Sequence, residues 1–201
     1  MKYIVVMTGF QPVGFGLELY RLLGQEREEW DFVDGCSIYQ KLITGNWNHD
    51  PAARKCLLMA TEQVVIAKLL EALRRGQSVV IDLSWIPKCP GIVTDMKKVG
   101  KKIGCRVIWV QGGFTDVQQY KDCMRQCVRT QNYICLFARH IRDGQVWGFR
   151  QERDWQALDY GELPFQCLRI SGTDWIAEGK HWLCMELKGM VSQENIKTGG
   201  C

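Results

Sequence analysis

The stretch that decides the reading of this chain is Lys2-Tyr3-Ile4-Val5-Val6-Met7-Thr8, then Gly9-Phe10-Gln11-Pro12-Val13-Gly14-Phe15-Gly16, then Leu17 to Leu23. The first segment is a Val/Ile-rich apolar run of the kind a strand buried on both faces requires. The last has apolar residues at helical spacing, and Gly24 closes it. Between them the glycine-rich turn has glycine at its first and sixth positions. That is the spacing of G-x-x-x-x-G-K-[ST], in which backbone N–H groups surround phosphates at a helix N-terminus. In such a loop the lysine neutralises the β- and γ-phosphates and the hydroxyl holds Mg²⁺. Here Phe15 stands at the lysine position and Gly16 at the hydroxyl position. The glycine spacing is kept, while the charge and the hydroxyl are gone. A plain strand-to-helix turn is the alternative reading.

Outward from this stretch, strand-like and helix-like segments alternate. A second strand is predicted over 30–33, then a polar turn over 46–51. A long helix is expected over 52–75, with Leu58, Val65, Leu69 and Leu73 at three- and four-residue steps and Gly76 as its stop. Ile66, Leu69 and Leu73 should pack that helix on the sheet. Residues 78–83 read as a strand. A loop marked by Pro87 and Pro90 follows, then a helix over 92–103 and a buried strand over 105–111. A helix is expected over 115–130. The mixed segment 133–164 reads as a short helix, an edge hairpin or a lid. A last strand over 165–170 leads to a helix over 174–187, capped by Ser171, Gly172 and Thr173. Alternation of this kind predicts a three-layer α/β/α domain with a mainly parallel sheet over residues 1–190, and a polar tail over 191–201.

Through the loop, the order of the elements and the run Leu70-Glu71-Ala72-Leu73-Arg74-Arg75-Gly76 leading into Val79-Val80-Ile81-Asp82, the chain resembles P-loop nucleotide kinases, and in particular phage-type polynucleotide 5′-kinases. The resemblance spans about residues 1–132. It implies a phosphate loop built from Gly9, Gly14, Phe15 and Gly16, and a strand-end acid at Asp82 that approaches magnesium. It implies phosphate-facing arginines at Arg125 and Arg129. The family's catalytic acid, which takes the proton of the attacking hydroxyl, falls at Cys36, with Asp34 two residues away. A thiol is a poor substitute for that carboxylate. A polar strand end at Asp82 and solvated helix charges at Arg125 and Arg129 are the alternatives.

The totals agree with a globular α/β chain: 201 residues, 46% hydrophobic, 24% charged and a net charge of +4. No run is long and apolar enough for a membrane helix, and no secretion signal is apparent, so an intracellular location is expected. The ten cysteines therefore read as free thiols rather than disulfides. Cys56, Cys105, Cys135 and Cys167 sit in apolar sequence and are expected to be buried. Cys123 and Cys127 lack partners for a zinc site. His49, His140 and His181 are scattered and read as structural. Lys97, Lys98, Lys101, Lys102 and Arg106 form a basic stretch that meets phosphates or is a solvated helix face.

Two functions follow. In the first the chain is a catalytically degenerate kinase-fold protein that binds a protein or anionic ligand and needs no cofactor, by analogy with degenerate enzyme folds among viral accessory proteins. Its contact surface is expected over 137–155, at Arg139, His140, Arg142, Trp147, Phe149, Arg150 and Trp155, because Arg and Trp dominate interface energies. A lid packed on the sheet is the alternative for that segment. In the second the chain is an active nucleotide or polynucleotide 5′-kinase that uses Mg-ATP through Lys41, Arg54, Arg125 and Asp82.

Overall fold

A computed structural model describes residues 1–9, 15–24, 29–42, 51–84, 86, 88–113, 141–142, 145–146, 160–171, 185 and 189. The first strand, β1 (Tyr3–Gly9), is buried along its whole length. It leads across the loop to α1 (Phe15–Gly24). Then come β2 (Trp30–Asp34), α2 (Gly35–Leu42), α3 (Pro51–Arg74) and β3 (Ser78–Ser84). The core ends with α4 (Ile92–Ile103) and β4 (Arg106–Gly113). Two two-residue strands, β5 (Ile141–Arg142) and β6 (Gln145–Val146), form an antiparallel pair. A last strand, β7 (Gln166–Ser171), returns to the main sheet.

That sheet has five strands in the order β2-β3-β1-β4-β7, all parallel. β1 lies in the middle, which is why its side chains must be apolar toward both faces. Ile4 and Val6 join Leu69, Leu73, Met96 and Trp109 on the face covered by α3 and α4. Tyr3, Val5 and Met7 join Leu19 and Leu23 on the face covered by α1. Leu69 and Leu73 are 0% and 2% exposed, and Ile66 packs partly buried against the same cluster. Burying one such side chain contributes about 1.5–3 kcal/mol. Gly76 ends α3 in the left-handed region, at φ 87°, as its place after the last apolar step requires.

The predicted strands and the long helix are present, and α4 occupies the expected residues. The helix α2 was missed, because Gly35-Cys36-Ser37-Ile38 carries no strong helical period. One expectation about thiols is corrected. Among the described residues Cys36, Cys56, Cys89, Cys105 and Cys167 form no disulfide, but Cys56 is exposed and Cys105 and Cys167 are only partly buried. The turn of α3 that directs Leu57 and Leu58 inward leaves Cys56 on the solvent side. The helix expected over 115–130 lies outside the described residues, as do Cys123, Cys127 and Cys135. Of the helix expected over 174–187, Met185 is described and is helical. Among the described residues no helix is long and apolar enough to cross a membrane.

Candidate phosphate-loop site

The topology makes one crevice. From the C-terminal end of β1 the chain goes to α1 on one face of the sheet. From the neighbouring end of β3 it goes to α4 on the other face. Connections that part to opposite faces leave an opening at the strand ends, where ligands of open α/β sheets bind. Gly9 and Gly16, which flank the glycine-rich loop, and Asp82 all meet this opening.

At its edge Gly9 has φ 80°, and a Cβ built there would lie 2.0 Å from the Gly112 carbonyl oxygen. Only glycine fits, because a side chain would clash and the backbone is left-handed. Beneath it, the Trp109 indole N–H donates to Thr8 Oγ1 at 2.7 Å, and the Thr8 hydroxyl donates to Gln111 Oε1 at 2.9 Å. These buried polar groups lock the ends of β1 and β4 together.

Across the crevice, Asp34 and Asp82 are register partners on β2 and β3. Their roles differ. Asp34 is exposed, and its Oδ1 accepts the Ser37 N–H at 2.8 Å, which makes it the N-terminal cap of α2. Asp82 points toward α1. Its Oδ1 accepts the Ser84 N–H at 2.9 Å, and its carboxylate also accepts the Gly16 N–H. A Cβ on Gly16 would lie 2.4 Å from Asp82 Oδ2, 2.8 Å from Cγ and 2.9 Å from Cβ. The carboxylate therefore fills the space that a serine or threonine at position 16 would need. Burial pushes the Asp82 carboxyl up from its ordinary range, with the neighbouring Asp34 adding to the rise; the Ser84 hydroxyl and N–H and the Gly16 N–H oppose it. The Ser84 hydroxyl lies near the carboxylate, although among the described residues it makes no hydrogen bond of good geometry.

Cys36, in the first turn of α2, donates its thiol to the Ser84 carbonyl at 2.6 Å. The fold thus brings Gly9, Gly16, Asp34, Cys36 and Asp82 to one crevice. Phe15 is the first residue of α1. Lys41 is exposed on α2. Arg54 bonds the Tyr39 hydroxyl, whose pKa burial raises against the pull of that guanidinium. Gly14, Arg125, Arg129, Arg139, Trp147, Phe149, Arg150 and Trp155 lie outside the described residues.

One feature of the loop after β3 escaped the sequence reading. Glu62 of α3 is 4% exposed, and its Oε2 accepts the Gly91 N–H at 3.0 Å. Gly91 precedes α4 and has no side-chain cap of its own, so Glu62 supplies one from another helix. Burial pushes the Glu62 carboxyl up; the Gly91 N–H opposes this, and Asp95 adds to it. Close by, the Cys89 N–H donates to the Tyr160 hydroxyl at 3.1 Å, and burial pushes the Cys89 thiol up to about 12. The signal was present: Glu62 falls on the stripe of Leu58, Val65 and Leu69, where a carboxylate needs a buried partner. Among the described residues no group of His, Cys, Asp and Glu is arranged to hold a metal ion.

No protein-family model matches this chain, and no curated protein matches it in sequence. Solved structures match it in shape. The crystal structure of a candidate kinase from Chloroflexus aurantiacus superposes with a TM-score of 0.57 at 11% identity, covering 93% of this chain and 97% of that one. The chain has a P-loop kinase-like fold. A sugar kinase from Janibacter aligns at TM-score 0.49 and 12% identity, over 93% of this chain and 92% of its own. Mycobacterium tuberculosis APS kinase aligns at 0.48 and 15%, over 94% and 97%. At these identities the likeness concerns the kinase-like scaffold alone.

Proposed function

We propose that this chain is a kinase-fold binding protein whose phosphate site no longer transfers phosphoryl groups. The observation that carries this reading is the contact between Asp82 and Gly16. In a working site the acid at this strand end and the hydroxyl at the helix start share a magnesium ion. Here the acid is drawn onto the helix N-terminus itself, in the volume where the hydroxyl would stand. The neighbouring residues agree with that. Position 15 is phenylalanine, so the cation for the β- and γ-phosphates is missing. Cys36, at the place of the catalytic acid, is tied to the Ser84 carbonyl. Asp34 is used as a helix cap, and Arg54 is engaged with Tyr39. These residues do not fit Mg-ATP. Phosphoryl transfer depends on electrostatic positioning, so losing the lysine and the hydroxyl together costs orders of magnitude in rate.

The scaffold is then kept for binding, and the segment 137–155 is the proposed protein contact, on its Arg and Trp content. The test is calorimetry with Mg-ATP, paired with radiolabelled ATP and a panel of nucleosides, nucleotides and 5′-hydroxyl oligonucleotides. The expected result is no binding at micromolar ATP and no transfer. The double substitution F15K/G16S, which rebuilds the motif, is expected to gain nucleotide affinity if the strand-end acid is released. Micromolar affinity or turnover in the unmodified protein would replace this reading with that of an active kinase.

A further inference from the structure

The basic stretch on α4 is not a uniform solvated face. One side of it meets the start of β4 and the segment before β7 and borders an open hollow of about 370 Å³. That is within the size range of small-ligand sites. Lys97 and Lys101, four residues apart and so on one face of the helix, stand at its edge with Arg106. Phe165 supplies the accessible apolar surface; Met96 and Val107 also border the hollow but are buried. Among the described residues no acidic side chain lines it. The hollow sits at the N-terminal ends of the parallel strands, since Arg106 and Gln166 begin β4 and β7. Gly9, where the glycine-rich loop begins, lies at the other end, about 20 Å away along a seven-residue strand.

Two features make this more than a charged surface. The first is a fixed aromatic wall. The Phe165 ring stacks on buried Trp109 at 5.6 Å with the planes 1° apart, so its orientation is set by the core. Arg106 is oriented too, because its guanidinium donates to Gln166 Oε1 at 2.7 Å. The second is the placement of the charges. Lys101 is in the last turn of α4, where a cation complements the helix dipole. Lys97 is a turn earlier and has no such role. Lys98 pairs with Asp95 at 3.7 Å, whereas among the described residues neither Lys97 nor Lys101 has a carboxylate partner. Lys2 adds positive potential, since it lies near enough to Cys105 to oppose the rise that burial gives that thiol.

We infer that this hollow is a second ligand site, independent of the phosphate loop, for a small phosphate ester carrying a flat ring. The anionic group is held between Lys97, Lys101 and Arg106, and the ring lies along Phe165. A nucleoside monophosphate and a simple aryl phosphate share this chemistry. The inference does not depend on whether the loop binds nucleotide.

The test is titration calorimetry on the full chain at low salt, with four probes: 1-naphthyl phosphate, 5′-AMP, 1-naphthol and inorganic phosphate. The expected result is that one or both esters bind with Kd below about 1 mM, and that naphthol and inorganic phosphate each bind at least about tenfold more weakly. The stronger ester shows which source the site prefers. The double substitution K97Q/K101Q changes only exposed side chains. It should leave the melting temperature unchanged and weaken ester binding about tenfold or more. Unaltered affinity in this variant would assign the binding elsewhere and overturn the proposal. So would inorganic phosphate binding as tightly as the esters, or no ester binding at 5 mM, about five times the expected ceiling.

Discussion

Replacing Gly16 with alanine probes the contact on which the functional reading rests. Ordinary van der Waals contact of a Cβ begins at 3.4 Å, and here the new methyl would stand 2.4 Å from Asp82 Oδ2 and 2.9 Å from Asp82 Cβ. The oxygen is the end of a side chain and can swing by an ångström, at the loss of its bond from the Gly16 N–H. The Asp82 Cβ belongs to a central strand and cannot. Overpacking of this kind costs about 1–3 kcal/mol. Against it stands the higher helix propensity of alanine, about 1 kcal/mol in a helix interior and less in a first turn. The net expectation for Gly16→Ala is a loss of about 1–2 kcal/mol, read as a lower urea midpoint at unchanged slope. Asp82→Gly removes both the carboxyl group and the Cβ, so in that background Gly16→Ala should be nearly neutral. The coupling between the two sites is then about 1 kcal/mol or more. Equal effects of Gly16→Ala in both backgrounds, or a loss below about 0.5 kcal/mol in the parent, would refute the reasoning that the carboxylate occupies the place of a residue-16 side chain.

Leu69→Ala should cost about 2–5 kcal/mol in urea melts, because Leu69 is 0% exposed at the centre of the α3 face; a loss under half a kcal/mol would mean that face is not packed. Glu62 has a carboxyl raised above its ordinary range, so the folded state holds its proton more tightly than the unfolded one. Its contribution to stability therefore falls as pH rises from about 4.5 through the raised value. Glu62→Gln keeps an acceptor for the Gly91 N–H and should flatten the fall; an unchanged pH profile would count against the buried carboxylate. Trp147→Ala, if 137–155 is a contact surface, should shift stability by no more than about 0.5 kcal/mol while weakening partner capture. A loss of about 3–5 kcal/mol would place Trp147 in a core instead.

What the sequence determined by itself is local. The Val/Ile run of β1, the stripe of α3 and the ends of α4 follow from periodicities of 2 and 3.6 and from glycines at helix ends, all read within a dozen residues. The absence of a lysine and a hydroxyl at positions 15 and 16 is legible in the same way. Helix α2 was the local miss, and its one signal was Asp34 placed to cap it. Tertiary structure decided which distant groups meet. Gly16 and Asp82 are far apart in the chain, as are Glu62 and Gly91, and Arg106 and Gln166. No periodicity links such pairs. A buried carboxylate accepts whatever N–H the packed sheet and helices bring to it, and that partner is set by strand order and by which face each connection takes. The sequence could show that the loop lacked its hydroxyl; only the packing of β3 against α1 could put the Asp82 carboxylate in its place.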